Sequence, residues 1–432
     1  MNIDHGEQNP LSGYIGAVVV LVVSVAISLN KKANYIFIDF TLFQKLLLML
    51  LFTLIAMLVA EFFGRKSYIK IGVVKLRPSV IPPNISYLLR SAFFRWLSLT
   101  FMFFIMWYCV KNHYYFTKEP FQLTRKFFDY VFLAYLILGY PYIVFTLHKK
   151  WGIFYEYNDY GILLMIAFKS TVNFIFQKNN HQYLARLKNR RIKKVFLVYL
   201  VNFFFGTLMI QFLLEEFRGF DKSLHQILAD NFSTLSFFKQ YHTWYLVFYY
   251  ELFVIDVSIA IIGYFVASRW LDNRTRNVET TMSGWIAAIM CYPPMNTGFT
   301  NQFINYNSPA TYNLITNEIA LMIIMALILI CFTIYVWATL VLGFRFSNLT
   351  NRGIITRGPY SVVRHPAYIS KNLAWWLDNT FVLSNLWTSI ALVVWNLIYI
   401  LRGFTEERNL SQDPNYREYC ETVKWRFIPK VF

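Results

Sequence analysis

Runs of about twenty apolar residues recur along this chain, and nothing else constrains its fold as strongly. A bilayer's hydrocarbon core is about 30 Å thick and a helix rises about 1.5 Å per residue, so each run matches one crossing. In lipid every backbone N–H and C=O must be satisfied within the segment, which leaves the helix as the conformation for each run. The runs fall at Gly13–Leu29, Thr41–Phe63, Ser91–Val110, Phe127–Leu147, Val195–Leu214, Thr243–Ala267, Ser283–Asn296 and Thr316–Gly343. A last stretch, Lys371–Leu401, is interrupted around Ser384-Asn385, which suits a tight helical hairpin. The pattern predicts an all-α, polytopic transmembrane helical bundle of about nine to ten membrane segments with a C-terminal helical hairpin. Ser283–Asn296 is the weakest of these spans, because it is short and runs into Tyr292-Pro293-Pro294, which cannot continue a regular helix.

Composition agrees with a protein that lives in the bilayer: 57% of the 432 residues are hydrophobic and 15% charged. The net charge of +18 is carried by short loops between apolar runs, so a nucleic-acid-binding face is not indicated. Those loops also orient the chain. Gly64–Arg90 holds Arg65, Lys66, Lys70, Lys75, Arg77 and Arg90 without an acid, and His148–Lys194 ends in a cluster of Arg and Lys, so both are expected in the cytoplasm. Alternation then places Ser268–Met282 on the same side and, if Ser283–Asn296 crosses, everything from Phe344 onward as well. A bacterial inner membrane and an endoplasmic reticulum fit equally. Cys109, Cys291, Cys331 and Cys420 form no CxxC pair and are expected to pack. Asp4 and Glu7 stand where a signal peptide carries positive charge, so the first run is expected to be a retained helix. Gly152–Gln177 reads either as an interfacial helix or as a connector packed on the bundle.

The polar residues divide the chain into an N-terminal region, 1–240, with no recognisable constellation, and a core, 241–432, whose candidate site lies in 344–432. Glu251 and Asp256 fall inside the Thr243–Ala267 run, five positions apart and on different faces. Carboxylates at that depth either hold helices together or contact substrate, and both readings are open. No HExxH spacing and no phosphate-binding glycine loop occurs, so no metal site is expected. His113, His148 and His242 flank apolar runs, while His365 alone sits among many polar neighbours. Arg352-Gly353 and Arg357-Gly358-Pro359 carry turn chemistry, and Pro366 favours a helix start. The hairpin would return Arg402 and Glu406 to the face that displays Tyr360 and His365. Arg402 and Glu406, four apart, share one helix face, and an intrahelical ion pair is the simplest use of them. Trp375, Trp376, Trp387 and Trp395 read as interface anchors.

Thr356-Arg357-Gly358-Pro359-Tyr360, then Arg364-His365-Pro366-Ala367-Tyr368, a hairpin, Arg402-x-x-Thr405-Glu406-Glu407, Tyr416-x-x-Tyr419 and Phe427-Ile428-Pro429 follow in this order. With that order and spacing, Phe344–Pro429 resembles the C-terminal half of the isoprenylcysteine carboxyl methyltransferases and related membrane phospholipid methyltransferases. The resemblance covers about a fifth of the chain. It implies S-adenosylmethionine bound at the cytoplasmic membrane surface. The family's cofactor-binding positions fall on Arg352, Gly353, Ile354, Ile355, Tyr360, His365, Pro366, Ala367, Tyr368 and Glu406. Its catalytic, acceptor-binding arginine falls on Arg402. Two positions depart from the family: Ser370 replaces a common glycine, and Arg352-Gly353 stand where a histidine can occur.

The expected activity is therefore methyl transfer to a lipidic or prenylated acceptor, such as an isoprenylcysteine carboxylate, whose tail stays in the bilayer. A carboxylate acceptor needs no general base and would be oriented by Arg402. An amine acceptor would need one, and Glu407 or a tyrosine is the candidate in substrate binding. Two other classes compete. One is an NADPH-dependent isoprenoid or sterol reductase of related architecture, which the Glu406-Glu407 pair disfavours. The other is a non-enzymatic transporter or scaffold, which the joint presence of Arg402, Glu406, Tyr360 and His365 disfavours.

Overall fold

The computed structural model describes residues 11–33, 40–65, 84–149, 160–176, 181–268, 271–300, 315–378 and 386–431. Most of the basic loop Gly64–Arg90, the acids Asp4 and Glu7, and the hairpin tip at Ser384-Asn385 lie outside them. In chain order the α-helices are α1 (Leu11–Ala33), α2 (Leu42–Arg65), α3 (Ile85–Asn112), α4 (Gln122–Lys149), α5 (Tyr160–Phe176), α6 (His181–Leu187) and α7 (Arg190–Ile227). They continue with α8 (Phe237–Phe265), α9 (Met282–Ile289), α10 (Glu318–Leu342), α11 (Pro366–Asp378), α12 (Leu386–Leu410) and α13 (Pro414–Thr422). Two short strands, β1 (Asn277–Val278) and β2 (Thr350–Asn351), pair antiparallel with Asn277 opposite Asn351.

Among the described residues, eight helices are long and apolar enough to cross a bilayer: α1, α2, α3, α4, α7, α8, α10 and α12. The protein is an all-α, polytopic helical bundle and an integral, multi-pass membrane protein. The short run Ser283–Asn296 differs from expectation. It holds all but the first residue of the eight-residue α9 and part of a π-helical turn at Met295–Thr300, and α9 is only about 12 Å long against a core of about 30 Å. Tyr241 Oη donates to Met322 O at 2.9 Å near the N-terminal ends of α8 and α10, Tyr335 Oη donates to Asp256 midway, and Gly263 lies against Phe346 at the C-terminal ends. The two helices are thus parallel, and the chain between them must return to the starting side.

Contacts divide the molecule into two compact units. One unit takes in residues 84–207. In it α5 packs on α3: Ser98 Oγ donates to Gly161 O at 2.8 Å, and Leu163, Leu164 and Ala167 join Ile192, Val195, Leu99 and Met102. Of the two readings of Gly152–Gln177, the described part is a packed helix.

The other unit takes in residues 11–65 and 208–431, so the first two helices belong with the C-terminal core. Gly13 of α1 sits so close to α10 that a Cβ there would stand 1.9 Å from Leu340 O. Asn317 caps α10 by accepting from the amides of Ile319 and Ala320, and Gly343 ends it at φ +47°, a conformation glycine adopts without strain. The core of this unit runs between α8, α10 and α11 through Tyr245, Leu321, Met325, Ile328, Cys331, Phe332 and Ala374. The hairpin is antiparallel: Trp375 meets Trp395 and Tyr399, while Tyr368 meets Tyr399 and Glu406. Trp395, expected at the membrane interface, is instead buried in this seam, since its ring fills the space between α11 and α12. Trp387 is 77% exposed.

Candidate functional site

The two intramembrane carboxylates each have a partner in the bundle. Glu251 accepts from Ser24 Oγ of α1 at 2.9 and 3.0 Å, and Asp256 accepts from Tyr335 Oη at 3.0 Å. Lys371 of α11 lies 5.1 Å from the Tyr335 ring centroid and 5.3 Å from that of Trp375. These contacts tie α8 to α1 and α10, which is the assembly role such groups can serve.

The polar crowd foreseen near the C-terminus is built where three connections meet. The β1–β2 ladder joins the segment after α8 to the segment after α10. The elbow between α12 and α13 closes on both strands. Asn277 donates to Asn409 Oδ1 at 2.9 Å and to Gln412 Oε1 at 2.8 Å, and Asn351 donates to Asp413 Oδ2 at 2.9 Å. Asp413 also caps α13, whose Tyr416 and Tyr419 pack against Ile354 and Tyr360. Tyr419 Oη donates to Tyr360 O at 2.6 Å. Burial, with the nearby Glu406 carboxylate, holds the Tyr360 phenol well above its ordinary pKa, so it stays neutral.

Against this frame lies a narrow cleft of about 20 Å³, room for about one water and far below the roughly 300–1,000 Å³ of small-ligand sites. Tyr368, Arg402 and Glu406, three of the residues expected at the site, line it together. Tyr368 Oη donates to Glu406 Oε2 across the hairpin. Arg402 is buried with its guanidinium 5.0 Å from the Tyr368 ring centroid, 5.5 Å from Tyr292 and 5.8 Å from Tyr399. It donates to Asn348 Oδ1 at 2.6 Å, and Asn348 in turn donates to Tyr292 Oη at 3.0 Å. Arg402 and Glu406 thus turn to partners on other elements instead of forming the intrahelical pair their spacing allows.

The other expected residues surround the cleft without lining it. Arg352 is buried and donates to Gly263 O at the end of α8. Gly353, at φ +119°, allows the Arg345 guanidinium to pass, since a Cβ there would stand 3.0 Å from Arg345 Cζ. Arg345 reaches Ile354 O at 3.4 Å, and Ile355 follows half-buried. Pro366 and Ala367 begin α11. His365 is stacked between Tyr368 and Phe427, each 5.2 Å away.

Glu407 faces away from the cleft into a cationic network. It accepts from Arg364 Nε at 2.8 Å and Arg426 Nε at 2.8 Å, and it meets His365 Nε2 at 3.2 Å. With three partners on it, the carboxylate is engaged in joining the loop before α11 to the C-terminal tail. That leaves little capacity for taking a substrate's proton.

Several cleft residues were not foreseen. Asn409 and Leu410 line it with Arg402, Thr405 and Glu406 at helical spacing, so the stripe 402-405-406-409-410 could have revealed them. Leu349, Thr350 and Glu279 come from the two ladder segments, and no motif marks them.

A family profile described as a protein of unknown function, DUF1295, matches residues 302–423. The matched stretch contains Arg352 through Glu407 and leaves Glu279 outside. No curated protein and no solved structure matches the chain.

Proposed function

We propose that this protein is an integral membrane S-adenosylmethionine-dependent methyltransferase acting on a lipidic or prenylated acceptor, with its cofactor side in the cytoplasm. One observation carries the reading: the cleft sets the Glu406 carboxylate, held by Tyr368, beside the Arg402 guanidinium within aromatic rings. A carboxylate in the cleft suits the methionyl ammonium, and aromatic faces suit a cationic sulfur. The order of motifs from Thr356 to Pro429 supports the same assignment. Glu279 and Glu406 together disfavour a dinucleotide that brings several phosphates.

S-adenosylmethionine, when bound, supplies an activated methyl group. Glu406 would take the methionyl ammonium, with Tyr368 fixing the carboxylate rotamer by its hydrogen bond. Arg402 would hold positive charge at the acceptor end, its plane fixed by three rings and Asn348. Ile390, Val393, Leu397, Leu401 and Phe404 form an exposed stripe at helical spacing along α12. That stripe would let an acyl or prenyl tail stay in lipid while its head group reaches the cleft.

Calorimetric titration of detergent-purified protein with S-adenosylmethionine and, separately, NADPH tests the reading. Binding of the first is expected, weakened by about ten- to a hundredfold in Glu406→Ala, the range for loss of a hydrogen bond to a charged group. NADPH binding without S-adenosylmethionine binding would overturn it in favour of a reductase.

A further inference from the structure

The segment after α13, residues 423–431, is fastened to the bundle on one side and leaves a basic, apolar edge on the other. The amides of Arg364 and His365 donate to Trp425 O and Arg426 O, each at 2.9 Å. Phe427 is buried against His365 and Gly403, where a Cβ would stand 2.7 Å from its Cζ. Arg426 donates from Nε to Glu407, and its guanidinium lies 5.0 Å from the Phe404 ring centroid. Phe404 ends the exposed apolar stripe that runs along α12 through Val393, Leu397 and Leu401. The segment is therefore held where α12 leaves the hydrocarbon, at the depth of lipid head groups. Beyond Phe427 the chain makes a tight turn, with the Val431 amide donating to Ile428 O at 3.2 Å. Its two ends are apolar side chains that are 45% and 72% exposed. Pro429 takes the second position and Lys430, at φ +63°, the third, as in a type II turn whose third position favours glycine. A lysine in that conformation is strained, and strain of this kind points to a use for the side chain.

The same segment is basic. Lys424 and Lys430 are exposed, Arg426 is half-buried, and residues 423–431 hold no acid. Of the acids nearby, Glu407 is already held by Arg364, His365 and Arg426, while Glu418 and Glu421 belong to α13. Exposed apolar side chains among cations, at the level of lipid head groups, are the composition of an interfacial anchor. Anionic lipid is the occupant that uses both features, because a neutral surface leaves the lysines without a counter-charge. We infer that residues 424–431 dock on an anionic lipid surface: Ile428 and Val431 enter the acyl boundary while Lys424 and Lys430 meet phosphate. The inference stands apart from the reaction assigned to the cleft. It bears on the frame of the site, because Phe427 stacks on His365 and Arg426 holds Glu407, so lipid docked here steadies the loop before α11.

Native mass spectrometry of the full chain in a neutral detergent, titrated with phosphatidylglycerol or phosphatidylcholine of the same acyl chains, tests it. The wild type is expected to bind phosphatidylglycerol about tenfold tighter. Lys424→Gln with Lys430→Gln should bring the two lipids within about twofold, since each lysine at an anionic surface is worth roughly fivefold. Lys430→Gly, which relieves the left-handed lysine, should lower the preference about threefold or more while the thermal midpoint holds or rises. Arg190→Gln with Lys193→Gln removes two exposed charges from the unit of residues 84–207 and should leave the preference within about twofold. Equal binding of the two lipids by the wild type overturns the inference. So does a preference that survives in either lysine variant, or one that falls as far in the Arg190 and Lys193 control. Displacement of phosphatidylglycerol by inorganic phosphate at matched concentration also overturns it, by revealing a free-anion site instead of a lipid surface.

Discussion

Glu406 and Glu407 are neighbours on α12, yet the two sides of the helix that they face are built to opposite ends. On one side Glu407 is enclosed by Arg364, His365 and Arg426, all brought in from loop and tail. On the other, Glu406 accepts from Tyr368 and borders a cleft with Arg402 and the half-paired Glu279. The difference teaches that acidic character by itself does not mark a site. A charge whose partners are complete holds structure, while one whose partners are incomplete waits for a ligand.

Removing a carboxylate from each side should break the molecule in different ways. The largest effect is expected at Glu407→Ala, which strands three cationic groups in a mostly buried network. A loss of about 3–5 kcal/mol, the range for breaking a buried ion pair, should appear as a lowered thermal midpoint and poor recovery from the membrane. If Glu407→Ala were stable but lost only cofactor binding, the contrast between the two sides would fail. Arg402→Ala comes next. Cofactor affinity should stay within about threefold while turnover falls roughly 10²–10³-fold, the scale of losing one preorganised electrostatic contact. Equal loss of both would move Arg402 from the acceptor to the cofactor. The smallest effect is expected at Tyr368→Phe, which removes only the hydroxyl on Glu406. Cofactor affinity should drop about fivefold, roughly 1 kcal/mol, with the thermal midpoint nearly unchanged.

Legibility in the sequence followed the range of the interaction. Crossings such as Leu42–Phe63 and Glu318–Arg345 are legible because length and apolar content are local properties. The hairpin was readable too, since two apolar runs and a break predict its antiparallel arms. The return between α8 and α10 was not legible as a structure, because Pro293 and Pro294 interrupt the helical periodicity. The role of Glu407 was not legible. Arg364 and Arg426 lie 43 and 19 residues away, and nothing in a Glu-Glu pair says which member turns toward them. Glu279 was hidden for the same reason. It sits in Asn277-Val278-Glu279-Thr280-Thr281, which carries no motif, and only the ladder brings it to α12. Trp395 shows the converse: an aromatic near a membrane boundary looks like an anchor until the partner helix is in place.

Photolabelling with tritiated S-adenosylmethionine, followed by peptide mapping, tests the central claim most directly, because the claim is that two sequence-distant segments form one cofactor site. Label is expected on peptides from α11, around Tyr368, and from α12, around Arg402 to Leu410, with both signals lost when unlabelled S-adenosylhomocysteine competes. Label confined to the unit of residues 84–207, or undiminished by the competitor, would contradict the account.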